Sequence, residues 1–423
     1  MDSILVKGGN KLNGTISISG AKNAALPIMA ACLLTEDKLH LSNVPRLVDI
    51  TTMQELLHNH GSSCEWYDNA NITLESSNIT SYKSPYEIVR KMRASIWTLG
   101  PLLSRFGSAE VSMPGGCAIG ARMIDQHLAV MKALGAKIKT KNGYIFAESI
   151  GRLRGCHFNF TKLSVGATIN GILAASLAEG ETVLTNCASE PEIIDLICVL
   201  NKMGAKITWL EPSKLVIQGV KSLHGTTHRL IGDRIEAGTF MCAVAICGGN
   251  IKLEGIDYSI TENIILKLSE AGIKFENNED GSIRVIADAK VKGVDMKTEA
   301  YPGFATDLQA QFMTMMTLAE GTSVVTENIF ENRFMHVPEL CRMGANIAID
   351  GHTAIVRGVN ELSGAEVMAS DLRASSSLII AGLAATGSTK VRRIYHLDRG
   401  YENIEQKLRN CGAEIERIKG DSV

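Results

Sequence analysis

The sequence has few of the features that mark a secreted, membrane or metal-binding protein. Its N-terminal residues contain neither a basic leader nor a long apolar core, so no secretory signal is expected. The longest nearly apolar run, residues 24–34, is about half as long as a membrane-spanning helix and contains Pro27. The ten cysteines form no CxxC pair and no His/Cys ligand spacing. We therefore expect a cytoplasmic protein with reduced thiols, no membrane contact, no metal and no cofactor.

Aromatic residues and net charge are also scarce. Aromatic side chains make up 5% of the 423 residues, and the net charge is −2 at neutral pH. A charge this close to zero argues against nucleic acid as a partner and confines any cationic site to a local cluster. Hydrophobic residues contribute 45%, which is typical of a globular α/β protein. The length predicts two domains of roughly 200 residues each.

A helix end followed by a strand recurs six times along the chain, at intervals of roughly 70 residues. Each copy places a glycine after the last helical residue, as in the sequence MGAKI at residues 203–207. These glycines are predicted to adopt the left-handed conformation that ends helices. They are Gly61, Gly135, Gly204, Gly272, Gly344 and Gly412.

A second helix in each repeat is apolar nearly all round, for example TINGILAASLA at residues 168–178. A helix with no polar face has to be buried on most sides, so we expect the sheets to surround the helices. A third element consists of alternating strands around a glycine. The prediction is an inside-out α/β barrel with two lobes, each of three repeats of two helices and a four-stranded sheet. The alternative is an open solenoid, whose units are usually about 20 to 50 residues long.

The N-terminal and C-terminal segments together form one complete repeat. The first strand unit, residues 4–18, precedes the first glycine-capped helix, and the last such helix with its strand, residues 404–418, ends the chain. Joining them assigns residues 22–229 to one lobe and residues 1–21 with 230–423 to the other. The chain then crosses twice between lobes, and we expect the active site in the interdomain cleft.

A glycine-rich segment at residues 111–122, with the sequence VSMPGGCAIGAR, carries a cysteine between flexible flanks. Glycines on both sides of Cys117 free the backbone, and Pro114 fixes one end. A cation such as Arg122 would lower the pKa of an exposed thiol and make it reactive. The alternative is a turn that happens to contain one of the ten cysteines. Burial in apolar helices is expected for Cys32, Cys198, Cys242 and Cys247.

Small hydroxyl, glycine and cationic residues precede the buried helix of each repeat. Helix starts of this kind favour anions, because unpaired backbone N–H groups and the helix dipole attract negative charge. The alternative is that Ser164 and Asp307 only cap helices. Arginine clusters in the last hundred residues suggest a substrate with both carboxylate and phosphate groups. His336 and His396 fit no metal-ligand spacing and are interpreted as structural.

Six strings distributed along the whole chain are long and specific. They are SGAKNA at residues 19–24, MRAS at 92–95, PGGC at 114–117, FENRFMH at 330–336, DLRA at 371–374 and YHLDRGY at 395–401. Together they closely resemble the enolpyruvyl transferase family, in particular the UDP-N-acetylglucosamine 1-carboxyvinyltransferases. The resemblance runs from end to end and also implies the inside-out α/β fold that the repeats predict independently.

This resemblance implies an activity. The enolpyruvyl group of phosphoenolpyruvate would pass to the 3-hydroxyl of UDP-N-acetylglucosamine with release of phosphate, which is the first committed step of peptidoglycan precursor synthesis. Both substrates are small molecules. By resemblance, Cys117 would protonate the vinyl methylene carbon, form a covalent adduct with phosphoenolpyruvate and react with epoxides of the fosfomycin type.

The resemblance also assigns the other site residues. The residues for phosphoenolpyruvate would be Lys22, Asn23, Arg122 and Arg399. Asp307 would accept or orient the proton of the sugar hydroxyl, and Arg333, Asp371 and Arg373 would complete a charged cleft. The residues for UDP-N-acetylglucosamine would be Arg93, Arg122, Met123, Ile124, Asp125, Gln126, Lys162, Leu163, Ser164, Val165, Asp307 and Ile329.

One position departs from the family pattern, since Met123 stands where a proline commonly follows the loop arginine, and this bears on the stiffness of the loop. The nearest alternative is the shikimate-pathway enolpyruvyl transferase, whose pattern lacks the loop cysteine. A thiol-dependent redox sensor would use Cys117 without catalysis and would leave the arginines and Asp307 unexplained. A repeat scaffold that binds an anionic partner would release no phosphate at all.

Overall fold

The structure is a computed structural model that describes residues 2–115, 120, 123–211 and 213–420. The strands are β1 (Ser3–Lys7), β2 (Leu12–Ser17), β3 (Leu39–Ser42), β4 (Ser63–Trp66), β5 (Ile72–Glu75), β6 (Lys83–Ser84), β7 (Ser108–Ser112), β8 (Lys137–Lys141), β9 (Tyr144–Glu148), β10 (His157–Asn159), β11 (Glu181–Thr185), β12 (Lys206–Glu211), β13 (Lys214–Gln218), β14 (Thr226–Arg229), β15 (Gly249–Glu254), β16 (Lys274–Asn277), β17 (Ile283–Ala287), β18 (Met296–Lys297), β19 (Thr322–Thr326), β20 (Asn346–Asp350), β21 (Thr353–Arg357), β22 (Glu366–Met368), β23 (Ser388–Arg392) and β24 (Glu414–Ile418).

The α-helices are α1 (Lys22–Ala31), α2 (Val48–His60), α3 (Tyr86–Val89), α4 (Leu99–Phe106), α5 (Asp125–Ala133), α6 (Val165–Ala175), α7 (Pro191–Lys202), α8 (Arg234–Cys247), α9 (Glu262–Glu270), α10 (Gln309–Met316), α11 (Val337–Arg342), α12 (Leu372–Ala384) and α13 (Ile404–Asn410). Short 3-10 helices cover Cys32–Leu34, Arg93–Thr98, Tyr258–Ile260, Thr306–Leu308 and Ile394–Arg399. No helix in the described part of the chain is long and apolar enough to cross a membrane.

The strands of the described residues form six four-stranded sheets, all with the same internal order. In one of them, β18 pairs in parallel with β19, β19 pairs antiparallel with β21, and β21 pairs antiparallel with β20. The other five sheets repeat this sequence of one parallel and two antiparallel pairings. A repeated pairing pattern follows from the repeated sequence unit, since strand length and turn position set the register.

The described chain forms two compact units. Unit A contains residues 20–115 and 123–231, and unit B contains residues 2–19, 120 and 232–420. The N-terminal strands belong to unit B because β1 lies between β23 and β24, and β2 pairs in parallel with β15. Each unit holds three of the sheets.

Apolar helices form the core of each unit. In unit B, α8, α10 and α12 pack against one another, and every residue of α10 is buried. In unit A, α4 packs against α6, whose residues 167–175 are all buried. The prediction of an inside-out α/β fold, with buried helices and outer sheets, is therefore confirmed. The physical reason is that helices without a polar face leave no side for solvent.

The six repeat glycines end helices in the left-handed region, as predicted. Their φ angles lie between 96° and 104°. The prediction for one cysteine is wrong, because Cys198 is exposed on α7. Residues 194 and 198 are four positions apart and both exposed, so they mark the solvent side of a helix that is amphipathic rather than apolar all round. Cys32 and Cys242 are buried, and Cys247 is half-buried.

Candidate active site

Two arginines hold Asp307 in unit B. Asp307 lies in the 3-10 helix that precedes α10, and its side chain is 28% exposed. Arg333 Nη2 donates to Asp307 Oδ1 at 2.8 Å, and Arg373 Nη2 donates to Asp307 Oδ2 at 2.7 Å. Burial alone would raise the pKa of Asp307, but the charges and hydrogen bonds of Arg373 and Arg333 hold it well below the usual 3.8. The site therefore presents an ionised carboxylate in a fixed orientation.

Each arginine is held in turn by a hydroxyl oxygen. Arg333 Nη1 donates to Thr306 Oγ1 at 3.2 Å, and Arg373 Nη1 donates to the Tyr401 hydroxyl at 3.3 Å. Both arginines are more than nine-tenths buried. Asp307 raises the pKa of Arg373 against the effect of burial, which lowers it. Asp307, Arg333 and Arg373, which the sequence assigned to one charged site, therefore do lie together.

Buried polar residues behind this cluster were not predicted from the sequence. Glu327 is 1% exposed and accepts hydrogen bonds from Thr298 Oγ1 at 2.8 Å and Thr306 Oγ1 at 2.9 Å. Gln311 lies one helical turn after Asp307, and its Nε2 donates to the Asp307 backbone oxygen at 3.1 Å. A polar residue within an apolar helix is a signal that the sequence offered for Gln311, whereas nothing in the sequence pointed to Glu327.

Asp371 begins α12 as its capping residue. Its Oδ1 accepts from the backbone N–H groups of Arg373 at 2.8 Å and Ala374 at 3.1 Å. This cap fixes the first turn of the helix that carries Arg373, so Asp371 supports the site through the backbone.

His336 lies beside this cluster and is 2% exposed. Burial lowers the pKa of His336 to about 4; the Asp371 charge opposes this effect and the Arg333 charge adds to it. Its Nε2 atom has no hydrogen-bond partner among the described residues. A buried neutral imidazole agrees with the structural interpretation of this histidine.

The two other unit B residues assigned to the substrates, Arg399 and Ile329, are partly exposed to solvent. Arg399 ends the 3-10 helix Ile394–Arg399 and is half-buried. Its neighbour Asp398 binds both Nη atoms of Arg417, at 2.7 and 3.1 Å, which fixes this short helix to β24. Ile329 is 40% exposed, and its N–H group donates to Glu327 Oε1 at 2.9 Å.

Unit A contains a buried cation at the start of α1. Lys22 is 9% exposed, and its Nζ atom lies 3.0 Å from Asp49 Oδ2 on α2. Asp49 is 3% exposed and was not predicted from the sequence. Asn23, the next residue, is half-buried. A buried ion pair of this kind fixes an ammonium group in place, because separating its partners leaves a charge without compensation.

The residues assigned to the nucleotide sugar in unit A also lie together. Gln126 Oε1 accepts from the Thr161 N–H at 3.0 Å, which joins the start of α5 to the segment before α6. The hydrogen bond from Gln126 lowers the pKa of Asp125, and the Lys162 charge contributes less. Arg93 Nη2 lies 3.5 Å from the backbone oxygen of Met123.

The side chains of this group differ in exposure. Ser164 caps α6, and its Oγ accepts from the Ala167 N–H at 3.3 Å. Ile124 is buried, Arg93 and Val165 are half-buried, and Lys162 is exposed. Met123 and Leu163 are exposed apolar side chains, at 75% and 43%.

Cys117 and Arg122 lie outside the described residues. Seven of the nine other thiols are less reactive than an exposed thiol, because burial raises their pKa values. The pKa rises to about 11 for Cys32, to about 12 for Cys187, Cys242 and Cys247, and above its usual value for Cys64, Cys156 and Cys411. The residues that the structure describes contain no group of three or more His, Cys, Asp or Glu side chains suited to hold a metal ion. A pocket of about 440 Å³ in unit B, lined by residues between Asn263 and Phe304, includes none of the predicted substrate residues.

Comparisons with known proteins identify the family of this chain. The family described as EPSP synthase (3-phosphoshikimate 1-carboxyvinyltransferase) matches residues 6–408. The chain is 59% identical over 421 residues to a UDP-N-acetylglucosamine 1-carboxyvinyltransferase of Rickettsia bellii (strain OSU 85-389), covering 99% of this chain and all of the relative. A protein of the same name from Rickettsia peacockii (strain Rustic) is 58% identical with the same coverage.

Solved structures show the same fold. The enolpyruvyl transferase NikO from Streptomyces tendae has a TM-score of 0.89 and 26% identity, covering 98% of each chain. An EPSP synthase from Acinetobacter baumannii has a TM-score of 0.78 and 20% identity, covering 99% of this chain and all of the other. Its relatives at 58–59% identity are named UDP-N-acetylglucosamine 1-carboxyvinyltransferases. The chain therefore belongs to the enolpyruvyl transferase family.

Proposed function

We propose that this chain transfers the enolpyruvyl group of phosphoenolpyruvate to the 3-hydroxyl of UDP-N-acetylglucosamine and releases phosphate. The reaction would be the first committed step of peptidoglycan precursor synthesis. The observation that carries the proposal is the 59% identity, over nearly the whole chain, to a relative named for this reaction. Both substrates are small molecules. A cytoplasmic location and the absence of a nucleic-acid partner stay predictions from the sequence.

In the proposed reaction, the sugar oxygen bonds to C2 of phosphoenolpyruvate while Cys117 gives a proton to C3. The C2–O bond to phosphate then breaks as the Cys117 thiolate takes a proton back from C3, which restores the double bond, regenerates the thiol and releases phosphate. Asp307 receives the hydroxyl proton. Because two arginines lower the pKa of Asp307, this carboxylate is a weak base toward a free alcohol. It therefore orients the hydroxyl first and takes the proton only as the carbon–oxygen bond forms.

Charge supports the assignment of phosphoenolpyruvate to Lys22, Asn23, Arg122 and Arg399. Lys22 is a buried cation held by Asp49, so its position is set before an anion arrives. Fixed cations bind phosphate and carboxylate without ordering a flexible side chain. The proposal requires both units, because Lys22 belongs to residues 22–229 and Arg399 to residues 230–423, the two proposed lobes.

The proposed residues for UDP-N-acetylglucosamine are those around Arg93, 122–126 and 162–165, with Asp307 and Ile329. The segments at 124–126 and 161–165 are joined by the hydrogen bond between Thr161 and Gln126. Arg333, Asp371 and Arg373 support Asp307 rather than contact the sugar, because their polar groups bind Asp307 or the start of α12.

The experiment measures phosphate release from phosphoenolpyruvate with and without UDP-N-acetylglucosamine, in the wild type, Cys117→Ser and Cys198→Ser. Cys198 is exposed on α7 and is not among the proposed substrate residues, so it provides the same chemical change at an accessible thiol without a proposed role. We expect release only with both substrates, a fall of about 10²-fold or more in Cys117→Ser, and no change in Cys198→Ser. A fosfomycin-type epoxide should alkylate Cys117 and no other thiol, as read by peptide mass spectrometry.

Shikimate 3-phosphate is the competing acceptor, since the family model is described by the reaction on 3-phosphoshikimate. It is disfavoured by 20% identity to an EPSP synthase of known structure, against 59% to the relative named for the amino sugar. Phosphate release with shikimate 3-phosphate but not with UDP-N-acetylglucosamine would overturn the proposal. Modification of another cysteine by the epoxide would remove Cys117 from its proposed role.

A further inference from the structure

We propose that Tyr401 is a positioning residue for Asp307, acting through the Arg373 guanidinium. Tyr401 follows the 3-10 helix Ile394–Arg399 and is 2% exposed. It reaches no substrate in this account and sets the orientation and basicity of the carboxylate that does. The inference rests on the proposed function, since the carboxylate has a catalytic part only in that reaction.

The first observation is the matched use of the two arginines. Each guanidinium gives one Nη atom to a different oxygen of Asp307 and its other Nη atom to a hydroxyl oxygen. For Arg333 the hydroxyl belongs to Thr306, and for Arg373 it belongs to Tyr401. A planar guanidinium that is bound at both Nη atoms cannot rotate without losing one of these contacts. The two hydroxyls therefore fix the directions from which Asp307 is held.

The second observation is the direction of the hydrogen bonds around Tyr401. Thr239 Oγ1 lies 2.7 Å from the Ile235 backbone oxygen, which can only accept, so the single Thr239 hydroxyl proton points there. The Tyr401 hydroxyl lies 2.8 Å from the same Thr239 oxygen and must donate to it. The Tyr401 oxygen is then left as an acceptor, which is what the Arg373 N–H requires.

Gln311 completes the arrangement from the other side. Its Nε2 atom lies 3.1 Å from the Tyr401 hydroxyl oxygen, 3.1 Å from Thr239 Oγ1 and 3.1 Å from the Asp307 backbone oxygen. Only the nitrogen end of this amide can face a backbone oxygen, so the orientation of the Gln311 side chain is determined. One buried amide thus ties the Tyr401 hydroxyl to the backbone of Asp307.

Removal of the Tyr401 hydroxyl has a defined consequence. The Arg373 Nη1 atom loses its acceptor, so the guanidinium can turn away from Asp307 Oδ2. The charged groups that face Asp307 are Arg333 and Arg373, and Arg373 also interacts with the Asp233 charge. A weaker contact with Arg373 lowers the pKa of Asp307 less, and it holds the carboxylate less firmly against the hydroxyl that it orients.

The experiment compares Tyr401→Phe, Thr239→Val, the double variant and Tyr82→Phe with the wild type. Tyr82 is 40% exposed and packs on Phe106, so it controls for loss of a tyrosine hydroxyl elsewhere. We expect Tyr401→Phe to lower kcat by about ten- to a hundredfold, the effect of a misplacement of about 1 Å, with little change in KM. The acid limb of the kcat–pH profile should move to higher pH, and Tyr82→Phe should behave as the wild type.

Thr239→Val removes the acceptor of the Tyr401 proton and should act in the same direction. Because both residues act through Arg373, the double variant should be no slower than Tyr401→Phe alone.

Carbon NMR of labelled aspartate reads the pKa of the Asp307 carboxyl in the folded protein, independently of turnover, and we expect a higher value in Tyr401→Phe. An unchanged Asp307 pKa and acid limb in a folded Tyr401→Phe would overturn the inference. A wild type without turnover but with the expected pKa change would overturn the proposed function and leave the positioning role standing.

Discussion

Asp307 shows at the residue scale how charge decides the chemistry of this site. A carboxylate that is only 28% exposed is stable as an anion because each oxygen faces a different arginine. The Asp307 pKa falls below that of the unfolded chain, so folding is coupled to ionisation of this group. Since the unfolded state takes up the proton first, acid favours unfolding, and the contribution of Asp307 to stability is present above pH 3.8 and lost below it.

Asp307→Asn tests the contribution of the Asp307 carboxylate to the free energy of unfolding. At neutral pH the variant should be less stable by about 3 kcal/mol, because two buried guanidinium groups lose their common partner. From pH 3.8 downward, the wild type should lose more stability than the variant, since the variant has no carboxyl to protonate. Urea unfolding at pH 7 and pH 3 measures both effects, with Asp288→Asn as the control at an exposed carboxylate. Equal acid sensitivity of wild type and Asp307→Asn would contradict the account.

His336 gives a second prediction with a different pH range. Its pKa in the folded protein is about 4, below the ordinary 6.5, because burial disfavours the imidazolium. The unfolded chain therefore binds this proton first, so stability should fall as the pH drops from 6.5 toward 4. In His336→Gln this loss of unfolding free energy between pH 6.5 and 4, on the order of 1–3 kcal/mol, should disappear. His352→Gln, on the turn between β20 and β21, is the control. If stability depends on pH in His336→Gln as it does in the wild type, His336 is already charged in the folded state.

At the scale of the elements, the local features were predictable and the long-range contacts were not. Six glycine caps and the buried apolar helices follow from single stretches of sequence, because helix ending and helix burial depend on neighbouring residues. Tyr401 contacts Thr239 and Gln311 across 162 and 90 positions, respectively. No local pattern encodes such pairs, so the sequence indicated Asp307, Arg333 and Arg373 without the residues that orient them.

Gly344 provides the test for the repeat caps. Its φ is 99°, and a methyl group at this position would meet no atom within 4 Å, so backbone strain is the only effect of adding one. Gly344→Ala should lower the free energy of unfolding by about 1 kcal/mol. Gly344→Asn should lower it less, because asparagine tolerates the left-handed conformation. Chemical denaturation measures the difference, and equal losses in the two variants would argue against a cap-specific cost.

At the scale of the whole molecule, the sequence predicted the architecture better than the site. Six repeats imply six equivalent sheets, and the chain folds them into two units of three. Asp49 and Glu327, which fix Lys22 and Thr306, were not predicted because each acts on a residue far away in sequence. Ligand binding is measured on the intact chain, since the residues assigned to the two substrates by resemblance are distributed from Lys22 to Arg399.

Ligand binding to the intact chain gives a further prediction. UDP-N-acetylglucosamine at about 100 times its Kd should stabilise the folded state by about 2.7 kcal/mol and raise the Tm. Arg93→Ala should reduce this shift, since Arg93 belongs to the proposed nucleotide-sugar surface. Arg90→Ala is the matched control, because Arg90 is exposed and pairs with Glu87 on α3. Thermal unfolding measures the shifts; an equal shift in Arg93→Ala and wild type would exclude Arg93 from that surface.

Analysis of the products formed from phosphoenolpyruvate and UDP-N-acetylglucosamine, by phosphorus NMR and mass spectrometry, tests the proposed enolpyruvyl transfer itself. We expect inorganic phosphate and an enolpyruvyl ether of the nucleotide sugar in equal amounts, with the new ether at the 3-position of the sugar. Phosphate without the ether would contradict it, because the chain would then hydrolyse phosphoenolpyruvate rather than transfer its enolpyruvyl group.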